Sequence, residues 1–293
     1  MSRNLASARH RPYHGAMRRP ARTVLFGAFA AAALTALGGV AWIVASTSPA
    51  QTAEEVLPTP PESPRLADSP EFDRCLVLLR GDPDEARAYA ERWDSVSGGD
   101  GARHCLALAL LAQGEPASAA QRLEVLARTS RGNNAARASV FAQATQAWLM
   151  AGEAGRAYGA ATMALTLSPD DPDLLVDRAV TLGSLSRYRE AVEDLDRTLV
   201  LDPDRTEALV FRAAAWRHLD RADNANRDID RALAIDPDNA EALLERGIIR
   251  QLRGDTAGAR DDWERAIMLS PDSPTADLAL QNLALNEAGP SRR

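Results

Sequence analysis

Hydrophobic positions fall along the chain in three regimes. Residues 24–45 form one apolar run without a charge, residues 47–70 show almost no apolar periodicity, and beyond them small and large apolar residues return at fixed intervals. The first regime predicts a helix of membrane length, the second a linker, and the third paired amphipathic helices.

The third regime has a period. Pro169, Pro203, Pro237 and Pro271 stand 34 residues apart and close the phrases MALTLSPD, RTLVLDPD, RALAIDPD and RAIMLSPD. Ala157, Ala191, Ala225 and Ala259 lie twelve residues before each proline, and Thr145, Ala179, Ala213 and Gly247 lie twenty-four before it. Small side chains at two such places let antiparallel helices approach, while Trp148, Leu182, Trp216, Leu195, Ile229 and Trp263 fill the space around them. Breaks at Gly152, Ser186, Asp220 and Gly254 make the turn inside each hairpin, and Asp-Pro or Ser-Pro ends the second helix. Glu207 and Glu241 are placed in the first turn of a helix, where the macrodipole favours them.

Upstream, Gly81 with Ala86 and Gly114 with Ala119 repeat the placement of Gly254 with Ala259. The glycine spacings of 33 and then 38 put an insertion near residues 128–136. The expected organisation is a basic N-terminus (1–23), a transmembrane or signal segment (24–46) and a Pro-rich disordered linker (47–70). Two degenerate hairpins (71–137) and four regular ones (138–171, 172–205, 206–239, 240–273) follow. A capping helix (274–287, centred on about 275–286) that covers the apolar face of the last hairpin and a disordered tail (288–293) complete it. The fold class is all-α, a solenoid of about six antiparallel hairpins.

Period, small residues at the crossings and the closing proline together resemble the tetratricopeptide repeat family, most closely over about 138–273; Thr198, where alanine is usual, and polar residues at some turns depart from it. The resemblance implies a non-catalytic protein-binding scaffold whose partner lies against the first helix of each hairpin. The matching positions are Gln146, Val176, Val180, Val210, Phe211, Ala214, Arg217, Leu244, Ile248 and Gln251. The basic and asparagine clamp that the family uses for a C-terminal carboxylate is absent there. An apolar groove suits an amphipathic or extended segment of another protein, or the chain's own capping helix. An assembly chaperone for unfolded clients, similar to the tetratricopeptide subunits of cytochrome maturation, is the alternative.

Charge separates the ends of the molecule. The net charge is -7, yet residues 1–22 hold six arginines (Arg3, Arg9, Arg11, Arg18, Arg19, Arg22) and no acid, leaving 28 basic against 41 acidic residues in the remainder. An acidic body gains nothing from counterion release, which argues against nucleic-acid binding. Every basic residue is arginine. Aromatics at 5% favour helices packed through small side chains.

As a helix, residues 24–45 would span about 33 Å, the thickness of a bilayer core. The six arginines hold the N-terminus in the cytoplasm and send residues from 47 onward across, in a bacterium into the periplasm. Cleavage as a signal peptide near Ala50, after the small residues Ser48-Pro49-Ala50, is the competing reading. Arg18-Arg19 lacks the apolar pair of a twin-arginine signal, because Pro20-Ala21-Arg22 follows.

Cys75 and Cys105, the only cysteines, fall on first helices of successive hairpins. In an oxidising compartment they form a disulfide; otherwise they are two buried thiols. With only His104 beside them they lack a metal-ligand set. Arg178, Arg212 and Arg246 recur with Asp194, Asp228 and Asp262 and with Asp202 and Asp236, which predicts a ladder of solvated ion pairs. Asp261 and Asp262 read as a solvated face. Scattered histidines (His10, His14, His104, His218), no phosphate loop and no nucleophile elbow leave no expected catalytic residues, cofactor or small-molecule substrate.

Overall fold

The computed structural model describes residues 65–288, all within one compact unit, Thr59–Arg293. The apolar run 24–45, the basic N-terminus, most of the linker and the tail lie outside the described residues. Among the described residues no helix is long and apolar enough to cross a membrane.

The described residues form thirteen α-helices and no strand. They are α1 (Pro70–Gly81), α2 (Pro83–Val96), α3 (Gly99–Ala112), α4 (Pro116–Thr129), α5 (Asn134–Met150), α6 (Ala154–Leu167), α7 (Pro172–Ser184), α8 (Tyr188–Leu201), α9 (Thr206–His218), α10 (Ala222–Ile235), α11 (Ala240–Leu252), α12 (Thr256–Leu269) and α13 (Pro274–Ala288). The first twelve pair as six hairpins, and α13 packs on α12 and α11.

Local chemistry sets these boundaries. The Asp82, Asp171 and Asn239 side chains accept the free N–H groups of α2, α7 and α11, and prolines open α1, α2, α4 and α7, where no amide hydrogen is needed. Inside the four regular hairpins the first helix ends on a left-handed residue: Gly152 (φ 74°), Ser186 (58°), Asp220 (58°) and Gly254 (85°). The next amide reaches back to close the turn, as Glu153 N does to Trp148 O and Asp255 N to Arg250 O. Second helices stop at Leu167, Leu201, Ile235 and Leu269, two residues before each repeating proline.

The predicted insertion is a longer helix. Helix α5 has 17 residues against 13 in α7, α9 and α11, and Asn133 caps its start by accepting from Ala136 N at 2.8 Å. The extra turn absorbs the 38-residue spacing.

The linker assignment needs correction at its end. Leu66 and Ala67 pack against the hydrophobic cores, and a Cβ at Gly132 would meet Leu66 Cδ2 at 2.6 Å. Proline density hid two apolar residues with somewhere to go, so 65–69 run as a strap onto the helices.

Packing is nearest-neighbour. Four apolar clusters succeed one another along the array, and Ala157, Ala191, Ala225 and Ala259 are all buried in them or beside them. Neighbouring first helices pack on each other (α5 on α7, α7 on α9, α9 on α11), whereas no comparable packing joins neighbouring second helices. The array therefore bends toward the layer of first helices.

Candidate partner-binding surface

The inner surface is built over three ladders of polar side chains. The first joins the two helices of a hairpin. The Arg178 guanidinium donates to both oxygens of Asp194 (2.7 and 2.6 Å), Arg212 to Asp228 (2.8 and 2.7 Å) and Arg246 to Asp262 (2.9 and 2.6 Å). These pairs were expected in solvent. Instead Asp194, Asp228 and Asp262 are only 7, 7 and 3% exposed, because the facing helix closes over them. Asp262 consequently leaves the solvated face expected of it, while Asp261 is exposed. Asp202 and Asp236 take no part; they are C-cap residues of α8 and α10.

The second ladder links each second helix to the loop that precedes its hairpin. Arg197 pairs with Asp170, Arg231 donates to Pro203 O (2.5 Å) and Asp204 (3.4 Å), and Arg265 to Pro237 O (3.1 Å) and Asp238 (2.5 Å). The signal was present in the sequence, since the aspartate after each repeating proline and these arginines share the 34-residue period.

The third ladder crosses between first helices and forms the floor of the inner surface. His104 Nε2 meets Gln143 Oε1 at 2.6 Å, Gln146 donates to Asp177 at 2.6 Å, Arg205 pairs with Asp173, and Arg217 holds Glu245 at 2.6 and 3.3 Å. Thr275 on α13 donates to Glu241 at 3.3 Å. Burial raises the Asp177 carboxyl to about 6, against the opposing hydrogen bond from Gln146. Burial likewise raises Glu245, with Arg217 opposing it, and holds the His104 imidazole below its ordinary value. Periodicity did not mark Asp177, Glu245 or His104, because their neighbours come from another hairpin.

The ten positions proposed for a partner divide by depth. Val176, Val210 and Leu244 are 3, 7 and 8% exposed and belong to the core, which leaves them little area to offer. Val180, Phe211, Ala214 and Ile248 are half-buried and form an apolar strip across α7, α9 and α11. Gln146 is exposed but engaged with Asp177, and Arg217 is engaged with Glu245. Gln251 is half-buried, with its Oε1 buried and without a partner.

At the other end of the molecule Cys75 on α1 and Cys105 on α3 are joined in a disulfide with Cα atoms 6.0 Å apart, and both are fully buried. His104, next to this bond, stacks on Phe72 with ring centroids 5.1 Å apart.

The comparisons agree with this architecture. Residues 212–284 match the sequence profile of the tetratricopeptide repeat family. The fold is similar to a chain of the APC/C hetero-tetramer Cut9-Hcn1, with TM-score 0.56 and 16% identity over 73% of this chain and 42% of that one. It is also similar to a tetratricopeptide repeat protein from Parabacteroides merdae (TM-score 0.52, 20% identity, 66% and 77% covered). A thermophilic TPR protein of Thermus thermophilus gives a TM-score of 0.53 at 16% identity, with 64% and 99% covered. This chain spans less than half the length of the first of these. No curated protein matches it in sequence. The fold is thus a tetratricopeptide-type solenoid, and within it residues 212–284 carry the family's own sequence pattern.

Proposed function

We propose that the protein is a non-catalytic scaffold that binds a segment of another protein along the layer of first helices. The half-buried strip of Val180, Phe211, Ala214 and Ile248 carries this reading. A peptide laid there would bury apolar surface on a floor already fixed by the Gln146–Asp177 and Arg217–Glu245 bridges. A photo-crosslinking residue at position 211 should capture one discrete partner in intact cells, and Ile248→Arg should abolish the capture. The same residue at position 200, where Val200 is 79% exposed on the outer layer, should not capture it. Equal capture from both places would overturn the reading, and preferential capture of unfolded chains would turn it into the chaperone alternative.

The same proposal puts the scaffold in the cell envelope, anchored in the inner membrane through residues 24–45 with the helical array in the periplasm, or released there after cleavage near Ala50. Six arginines before an uncharged run of 22 residues support the orientation, and the Cys75–Cys105 bond suits an oxidising compartment. The mass of the mature chain and its sensitivity to protease added outside the inner membrane test both statements.

A further inference from the structure

Tyr89, Trp93 and Val96 follow at helical spacing along α2, where it passes between the first turn of α1 and the start of α3, with Val96 84% exposed. They line a groove of about 610 Å³ together with Ser69, Glu71 and Arg92. Both rings are held: Tyr89 donates from Oη to Glu71 O at 3.2 Å, and the Trp93 indole edge rests against Gly101, where a Cβ would approach it to 2.6 Å. Their centroids are 6.0 Å apart and the planes tilted by 40°, and the Arg74 guanidinium lies 5.3 Å over the Tyr89 ring. Two fixed aromatic rings beside an open slot suit proline side chains, since a polyproline segment is already extended and loses little entropy on docking.

We propose that this groove is the seat of the chain's own proline-rich segment, residues 59–64 (TPPESP). Proximity is one argument. Arg65 pairs with Asp73 at 3.3 Å, which puts the start of the described chain beside the first turn of α1, and Glu71 of that turn lines the groove. Pro64 directly precedes Arg65, so the segment ends beside that turn. Composition is another, because Pro60, Pro61 and Pro64 supply rings at the spacing of a PxxP motif. Charge is the third: Glu62 is the segment's only ionisable residue, and Arg92 and Arg74 flank the rings. Docked there, the segment would fix where the linker leaves the array, on a surface separate from the partner strip.

Residues 65–293 contain all thirteen helices and all four core clusters, so that fragment carries the whole array. A fluorescent peptide of residues 56–64 should bind it saturably by anisotropy. Arg92→Glu, a change at an exposed position, should weaken binding tenfold or more while the helical circular dichroism stays unchanged. A peptide with Pro60, Pro61 and Pro64 replaced by alanine should not bind. A longer fragment, 47–293, should take up the added peptide at least tenfold more weakly, because its own segment competes. Absence of saturable binding at millimolar peptide, equal binding of the alanine peptide, or equal uptake by the two fragments would each overturn the proposal. Dimerisation of 47–293 but not of 65–293 would also overturn it, by assigning the groove to the segment of a second copy.

Discussion

Gly247 on α11 faces the indole of Trp263 on α12 so closely that a Cβ at 247 would stand 2.3 Å from Nε1. The same register place holds Thr145 with Ala161, Ala179 with Leu195 and Ala213 with Ile229, so the smallest residue meets the largest partner. Trp263 is 1% exposed and its Nε1 donates to Leu244 O at 3.2 Å, which leaves the ring no free direction. Gly247→Ala should therefore destabilise by about 1–3 kcal/mol, although alanine alone favours a helix by about 1 kcal/mol. Urea unfolding checks it, and adding Trp263→Leu should restore much of the loss by copying the Ala179–Leu195 pair. A stabilised Gly247→Ala protein would refute the close approach.

The Arg212–Asp228 pair is buried, with side chains 18 and 10% exposed. Removing Arg212 strands a carboxylate under the facing helix, whereas removing both charges leaves two apolar stubs. The chain contains the latter arrangement already: Ala144 and Ala160 occupy the equivalent places in the first of the four regular hairpins (138–171) and are buried. Arg212→Ala should cost about 3 kcal/mol, and Arg212→Ala with Asp228→Ala should cost less than that single change. Additive losses in equilibrium unfolding would mean that the two groups act independently.

How much of this was legible in the sequence follows from what each feature depends on. The hairpins depend on residues within one repeat, and Pro203, Ala191 and the break at Ser186 suffice to place α7 and α8. Recurrence of Arg212 and Asp228 announced a pair. Its depth did not show, because the enclosing surface belongs to a facing helix. Val210 and Phe211 are neighbours in sequence yet one is core and the other half-exposed, a distinction that depends on the neighbouring helices packed around α9. The strap at Leu66 escaped notice because its partner, Gly132, lies two hairpins away.

The disulfide between Cys75 and Cys105 closes a separation of 30 residues. In the chain-entropy account such a loop contributes about 3–4 kcal/mol. Because hairpins stabilise mainly their neighbours, the effect of Cys75→Ala with Cys105→Ala should stay local. Amide exchange should rise in α1–α4 and remain unchanged in α9–α12. Uniform acceleration along the chain would show that the array unfolds as one unit, and labelling of both thiols without reductant would show that the bond is not formed.

Asp177 makes stability depend on pH with a definite sign. Its ordinary carboxyl value of 3.8 is raised to about 6 by burial, so folding favours the protonated form. Its contribution is fully present below about 3.8 and is lost as pH rises through 6, above which the folded chain holds a half-buried carboxylate beside Asp173 and Glu207, only partly offset by Arg205. Asp177→Asn keeps an acceptor for Gln146 and removes the charge. The variant should exceed the parent by roughly 1–3 kcal/mol at pH 7–8, allowing for screening at a partly exposed site, and converge with it near pH 4. Urea midpoints measured across that range decide the matter: a constant offset, or a less stable variant at pH 7.5, would show that the carboxylate is satisfied where it sits.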